Sequence, residues 1–421
     1  MPLRLQKPNL PQAVYWFTLL AFVLRVMARL HTGAAGFWVN GYTFFFYMAQ
    51  NIAAGKGIGI EGVPTAFRVP LYPIFLAALT MGHKAFWPIV IAQSMIGAAT
   101  AFCAALLARQ MFHGPWAAKA ATLAAAITAV FPYYVIHDTA LEEISLFTLL
   151  SLAAMMLLRQ TVRTSRLTLG AGAGLLLGLD VLTRATIAPF AIVAPLWLVW
   201  QKRTRAGVAC ALLLVLTVAP WLWRNYLLTG VPTLSTETGV ELWNGNNGFL
   251  FRHYPQGSSD LSKADALNAL SIAEQQHLLE IENNEELVNQ WFMHKALDYM
   301  RTHPGQTVID GFRKVGAAFY WLPSPRRGRI EDLGYALSYG PVMLLGLWGM
   351  WRRRNCWRED SLVYLLFATF IMVTAAFWAH TAHVAYLDVY WIVFASGAVA
   401  EKGADILHRR SRGGKGALQS S

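Results

Sequence analysis

Gly207-Val208-Ala209-Cys210-Ala211-Leu212-Leu213-Leu214-Val215-Leu216-Thr217-Val218-Ala219-Pro220-Trp221-Leu222-Trp223 contains no charged side chain and no alternation of apolar with polar residues. A helix needs about 20 such residues to cross a hydrocarbon layer about 30 Å thick. In lipid every backbone N–H and C=O must be satisfied inside the protein, so long unalternating runs form helices, whereas membrane barrels need short alternating strands. Comparable runs recur at 13–31, 87–109, 116–134, 143–159, 168–183, 186–201, 334–352, 361–379 and 388–403. The expected fold is all-α, a polytopic integral membrane protein of about ten transmembrane helices. A chain that is 56% hydrophobic and 14% charged excludes a soluble domain.

The connections set the orientation. Arg109 to Lys119, Arg159 with Arg163 and Arg166, Lys202 with Arg203 and Arg205, and Arg352 to Arg358 fall on alternate connections, as does the tail with Arg409, Arg410, Arg412 and Lys415. The positive-inside rule places these, and with them both termini, in the cytoplasm. The net charge of +12 is thus a membrane-topology signal, and no nucleic-acid module accompanies it. Cys103, Cys210 and Cys356 lie far apart, which predicts neither a disulfide framework nor a metal site. Arg25 and Arg29 near the end of the first run mark a retained helix rather than a removed signal.

Four units follow: an N-terminal membrane module (1–223, with a first outer loop at 32–86), an extracytoplasmic helical region (224–333), a C-terminal membrane pair and preceding span (334–403), and a basic tail (404–421). Tyr42 to Ala54 and Leu71 to Met81 in the first outer loop are expected to be interfacial helices. In the second region Lys263 to Leu279 and Asn284 to Met300 have helical apolar spacing, and Pro304 stops the latter.

Ionisable residues within or at the outer edge of a membrane are costly to desolvate and are therefore candidate functional groups. His137, Asp138, Glu142 and Glu143 cluster where one span ends and the next begins; acids there suit a general base, and equally the dipole at a helix N-terminus. Asp180 and Arg184 have the four-residue spacing of an intrahelical ion pair. Arg68 and Arg224 lie at outer boundaries beside aromatic residues, where arginine snorkels to headgroups or grips a phosphate. His380 and His383, with Asp388, form the last outer cluster, and their spacing lacks a local third metal ligand.

In chain order these features resemble the bacterial GT-C superfamily, the polytopic glycosyltransferases that include the protein O-mannosyltransferase and lipid A aminoarabinose transferase types. The resemblance rests on Tyr47-Met48-Ala49-Gln50-Asn51-Ile52-Ala53-Ala54-Gly55-Lys56-Gly57 and Phe67-Arg68-Val69-Pro70-Leu71-Tyr72-Pro73, then Phe131-Pro132-Tyr133-Tyr134 and Leu182-Thr183-Arg184. Pro220-Trp221-Leu222-Trp223-Arg224-Asn225-Tyr226, Glu241-Leu242-Trp243-Asn244-Gly245-Asn246-Asn247 and the helix from Ala296 to Pro304 complete it.

The resemblance implies inverting transfer of a sugar from a polyprenyl-phosphate-linked donor to a hydroxyl of a cell-envelope glycan, lipid or protein on the outer side of a bacterial inner membrane. Arg68, Arg184 and Arg224 would bind the lipid phosphate, and Tyr47, Tyr72, His137, His380 and His383 would contact substrate. Relatives carry an acid in the first outer loop as the base, whereas this chain has Asn40, an amide that positions a hydroxyl but accepts no proton near neutral pH. The base is then expected among Glu143, Glu142, Asp138 and Glu61. No cofactor and no metal is expected, a divalent cation on spatially assembled carboxylates being the one route to metal dependence. A non-catalytic carrier, flippase or assembly subunit on the same scaffold is the alternative, and an acid facing the lipid cavity separates the two.

Overall fold

The computed structural model describes residues 10–34, 36–38, 42–378 and 381–417. Helices α1 (Gln12–Thr32), α2 (Thr43–Ala53), α3 (Leu71–Thr80), α4 (Phe86–Met111), α5 (Ala117–Val130) and α6 (Pro132–His137) come first. They are followed by α7 (Ile144–Thr164), α8 (Leu167–Thr183), α9 (Ala188–Trp200), α10 (Thr204–Thr229), α11 (Thr238–Asn244) and α12 (Ser259–Asn268). The last six are α13 (Ile272–Ile281), α14 (Glu285–Thr302), α15 (Pro304–Ala318), α16 (Arg329–Arg352), α17 (Trp357–Ala376) and α18 (Thr381–Ala417). Each of the ten expected spans overlaps a helix, the one at 116–134 being divided at Phe131 between α5 and α6. By length and composition, α1, α4, α7, α10, the stretch Arg354–Ala376 and the stretch His383–Gly403 are long and apolar enough to cross a membrane. Helices α5, α8 and α9 are apolar but shorter.

Small residues set how closely the helices approach. On α8, Gly170, Gly174 and Gly178 repeat every fourth position, and a Cβ on any of them would strike Ala206, Cys210 or Thr217 of α10. Gly346 and Gly349 of α16 meet Trp391 and Phe394 of α18 in the same way. Without a hydrophobic drive between helices in lipid, such close backbone packing supplies much of the association.

Polar residues fix the rest. Arg25 of α1 is fully buried and its Nε donates to Asp138 Oδ2 at 2.7 Å. Gln93 of α4 donates to the carbonyls of Asp138 (3.0 Å) and Ala140 (2.7 Å), and the buried Tyr72 hydroxyl donates to Gln93 Oε1 at 2.8 Å. The turn between α6 and α7, which carries Glu142 and Glu143, is thereby pinned from α1, α3 and α4.

The connection between α1 and α4 holds α2 and α3, packed on α4 through Phe45, Phe46, Leu76, Ile89 and Val90. A two-residue antiparallel pair, β1 (Gly59–Ile60) and β2 (Val63–Pro64), adds the little strand structure there is among the described residues. In the helical region at 224–333 the expected single helix at 263–279 is two helices. Ser271 breaks it by capping α13, its side chain accepting from Glu274 N–H while the Glu274 carboxylate reaches back. Pro304 both ends α14 and opens α15.

Candidate active site

The sequence spacing of Asp180 and Arg184 does not become an ion pair. Helix α8 ends at Thr183, and Arg184 is extended (φ −153°, ψ 115°), so the four-residue helical geometry is lost one residue too early. Arg184 turns instead to Glu143, with Nη1 3.6 Å from Oε1, and lies 5.9 Å from the Phe147 ring. Asp180 remains fully buried, with neither carboxylate oxygen hydrogen-bonded.

Arg184 and Glu143 open onto a cavity of about 320 Å³. Its walls come from the first loop (Phe45, Arg68, Val69), the end of α8 (Thr183, Arg184), the segment after α10 (Leu234, Ser235, Glu237, Thr238, Glu241) and the end of α17 (Phe370, Thr374, Phe377, Trp378), with His383 beyond. The lining combines apolar side chains with two arginines and three glutamates.

Arg68 Nη1 sits 2.5 Å from Glu237 Oε2, and its guanidinium lies 5.2 Å from the Phe44 ring and 5.3 Å from that of Phe67. Burial pushes the Glu237 carboxyl up from its ordinary 4.5 to about 7, with Arg68 pulling the other way. Sequence reading missed Glu237. The one available signal was its place beyond the end of an apolar run, the same kind of position that singled out Glu142 and Glu143.

Three clamps assemble this site from distant segments. Arg224 donates to the carbonyls of Ile58 (2.6 Å) and Thr65 (2.7 Å) and so holds the loop before Arg68. Glu285 Oε2 accepts from Ala66 N–H and Thr236 Oγ1, both at 3.0 Å, and Ser235 Oγ donates to the Phe67 carbonyl at 2.5 Å. Opposite them Lys314 of α15, fully buried, donates to the carbonyls of Gly245 (3.0 Å) and Ala376 (3.1 Å), joining the end of α11 to the end of α17. Burial lowers the Lys314 ammonium to about 8. Lys314→Met is expected to cost about 1–3 kcal/mol, because buried carbonyls lose their donor. The check is a lower apparent melting temperature of the detergent-purified protein.

The remaining sequence candidates are dispersed. Asp138 is committed to Arg25, and burial raises its carboxyl above the ordinary 3.8 while Arg25 opposes that shift. Glu142 pairs with His137 at 3.1 Å, and His137 stacks on Tyr133 at 4.0 Å, outside the cavity. Glu61 occupies the exposed tip of the β1–β2 pair at φ 52°. Tyr47 is exposed on α2, and the Tyr72 hydroxyl is spent on Gln93. Asn40 and His380 lie outside the described residues. Among the described residues no three His, Cys, Asp or Glu side chains converge as metal ligands.

An all-α, multi-pass membrane scaffold with an arginine- and glutamate-lined cavity at one end of its bundle defines the class. Residues 68–223 match the family model described as dolichyl-phosphate-mannose-protein mannosyltransferase. The resemblance to GT-C membrane glycosyltransferases therefore holds over the stretch from Arg68 to Trp223, which brings Arg68, Glu143 and Arg184 to the cavity. No curated protein matches the chain. Among solved structures the chain is similar to ArnT from Cupriavidus metallidurans bound to undecaprenyl phosphate, with 13% identity over 93% of this chain and 79% of that one and a TM-score of 0.41. At that TM-score the likeness is too loose to carry over any residue's role.

Proposed function

We propose that the protein transfers a sugar from a polyprenyl-phosphate-linked donor to an acceptor hydroxyl, with inversion, in the cavity between Arg68 and Arg184. The observation that carries this reading is a set of unspent polar atoms on residues around the cavity. Arg68 Nε, Glu143 Oε2, Thr374 Oγ1 and Trp378 Nε1 are all buried without a hydrogen-bond partner, and all belong to residues lining the cavity. Buried polar groups left unpaired cost stability, and a polar ligand completes them. The apolar side chains of the lining suit a prenyl chain, and guanidinium groups suit its phosphate.

In the reaction the acceptor oxygen bonds to the anomeric carbon, the bond from that carbon to the phosphate oxygen breaks, and polyprenyl phosphate leaves with the electron pair. The acceptor proton passes to a carboxylate. Arg184, with Arg68, stabilises the charge that grows on the leaving phosphate, the kind of preorganised electrostatic aid that dominates many enzyme rates. Glu143 and Glu237 both face the cavity and supply the acid that a transferase needs as its base, which favours transfer over a non-catalytic carrier.

The test is transfer of labelled sugar from a panel of polyprenyl-phosphate donors by the purified protein in liposomes containing envelope acceptors. Arg184→Gln is expected to lower kcat by about 100-fold. A parent that binds the donors yet transfers none of them, or an Arg184→Gln variant as fast as an active parent, defeats the reading.

A further inference from the structure

The turn that carries Glu143 into the first cavity carries Glu142 onto a second, of about 260 Å³. Ala28, Arg29 and Thr32 at the end of α1 line it, with Phe37 and Thr139. Arg29 is only 9% exposed. Its Nη atoms donate to the carbonyls of Gly33 (3.3 Å) and Thr139 (2.7 Å), and the guanidinium lies 5.3 Å from the Phe37 ring and 5.9 Å from that of Phe86. Its Nε–H is buried with no partner. The neighbouring carboxylates are taken, Asp138 by Arg25 and Glu142 by His137, and among the described residues none pairs with Arg29.

A guanidinium withdrawn from water with neither a counter-charge nor a full set of acceptors calls for an anion. Its planar fork matches the oxygens of a phosphate. Ile136, on the wall of this cavity, is an exposed apolar side chain of the kind that lipid contacts. A phospholipid packed against Ile136 brings its phosphate to the cavity that Arg29 lines. We infer that this second cavity is a phosphate site that takes the phosphodiester headgroup of a membrane phospholipid, with Arg29 as its cationic donor. Glu142, on the same cavity wall, disfavours a second anion and suits an amine or hydroxyl at the far end of the headgroup.

The site is independent of the proposed transfer reaction, and its test needs no activity. Protein stripped of phospholipid in an uncharged detergent is melted with dihexanoyl phosphatidylethanolamine, dihexanoyl phosphatidylglycerol or inorganic phosphate. The short-chain phospholipids are expected to raise the apparent melting temperature by several degrees in the parent and in Arg184→Gln. In Arg29→Gln the half-maximal concentration is expected to rise about tenfold or more. Ala28→Leu, which fills the cavity without touching the guanidinium, gives the same loss and decides the matter if Arg29→Gln does not fold. The inference is overturned by equal shifts in parent and cavity variants, by no shift in the parent, or by a shift lost in Arg184→Gln instead. It is equally overturned if inorganic phosphate alone reproduces the shift at the same concentration, since the occupant is then a soluble anion.

Discussion

Glu237→Gln is expected to lower kcat/KM by about 10²–10⁴-fold, the usual contribution of a positioned general base. Glu237 is the carboxylate best tuned for that work, because burial brings it to about 7 while Arg68, 2.5 Å away, keeps the ionised form accessible. The base is active when deprotonated, so kcat/KM of the parent rises with pH and levels off above about 7, and the Gln variant loses that limb. Stability runs the other way. A carboxyl whose folded pKa is raised from 4.5 to about 7 holds its proton better in the fold than in the unfolded chain, so its contribution is full below 4.5 and is lost as pH rises through 7. The difference corresponds to about 3 kcal/mol, so Glu237→Gln is expected to be more stable than its parent at pH 8 and no more stable at pH 4. Initial rates and apparent melting temperatures across pH 5–9 check both limbs. If Glu143→Gln abolishes transfer while Glu237→Gln leaves rate and profile intact, Glu143 is the base and Glu237 only holds Arg68.

Membrane helices are legible because their cause is local. The hydropathy of each run decides whether it becomes an apolar helix, and all ten expected spans overlap helices, although the run at 116–134 is divided at Phe131 between α5 and α6. The site is legible only where it inherits that local logic. Arg68, Arg184, Glu143 and His383, singled out at the edges of spans, all line the cavity. Two features were beyond a one-dimensional reading. The pairing of Arg68 with Glu237 depends on Arg224, Glu285 and Ser235 stitching together segments far apart in the chain. Arg224 itself, with the composition of a phosphate ligand, is used as a clamp on backbone carbonyls. The Asp180 to Arg184 spacing fails for the opposite reason. Spacing rules hold only while the helix lasts, and helix ends are the least certain part of any sequence reading.

Breaking the Arg25–Asp138 pair should be the most damaging single change to the fold. Arg25 is fully buried, with Nε on Asp138 Oδ2 at 2.7 Å and Nη1 on the carbonyls of Ala21 (2.9 Å) and Ala129 (3.3 Å). Arg25→Leu leaves the Asp138 carboxylate buried and alone, a change that costs about 3–5 kcal/mol at neutral pH. The penalty should shrink as pH falls, because a protonated Asp138 no longer needs a counter-charge. Replacing both partners, Arg25→Leu with Asp138→Asn, should recover part of the loss, since an uncharged pair removes the orphaned carboxylate. Gly97→Ala attacks the same pair from α4: a Cβ there overlaps both Arg25 Nε and Asp138 Oδ2, so one methyl group should reproduce much of the destabilisation. Because Asp138 opens the turn that ends at Glu143, these variants should also lose activity beyond their loss of folded protein, which the double variant partly returns. Apparent melting temperatures of the four proteins at pH 5 and pH 8 decide it. A double variant no more stable than Arg25→Leu, or an Arg25→Leu protein as stable as its parent, means that the charge on Asp138 is met by something other than Arg25.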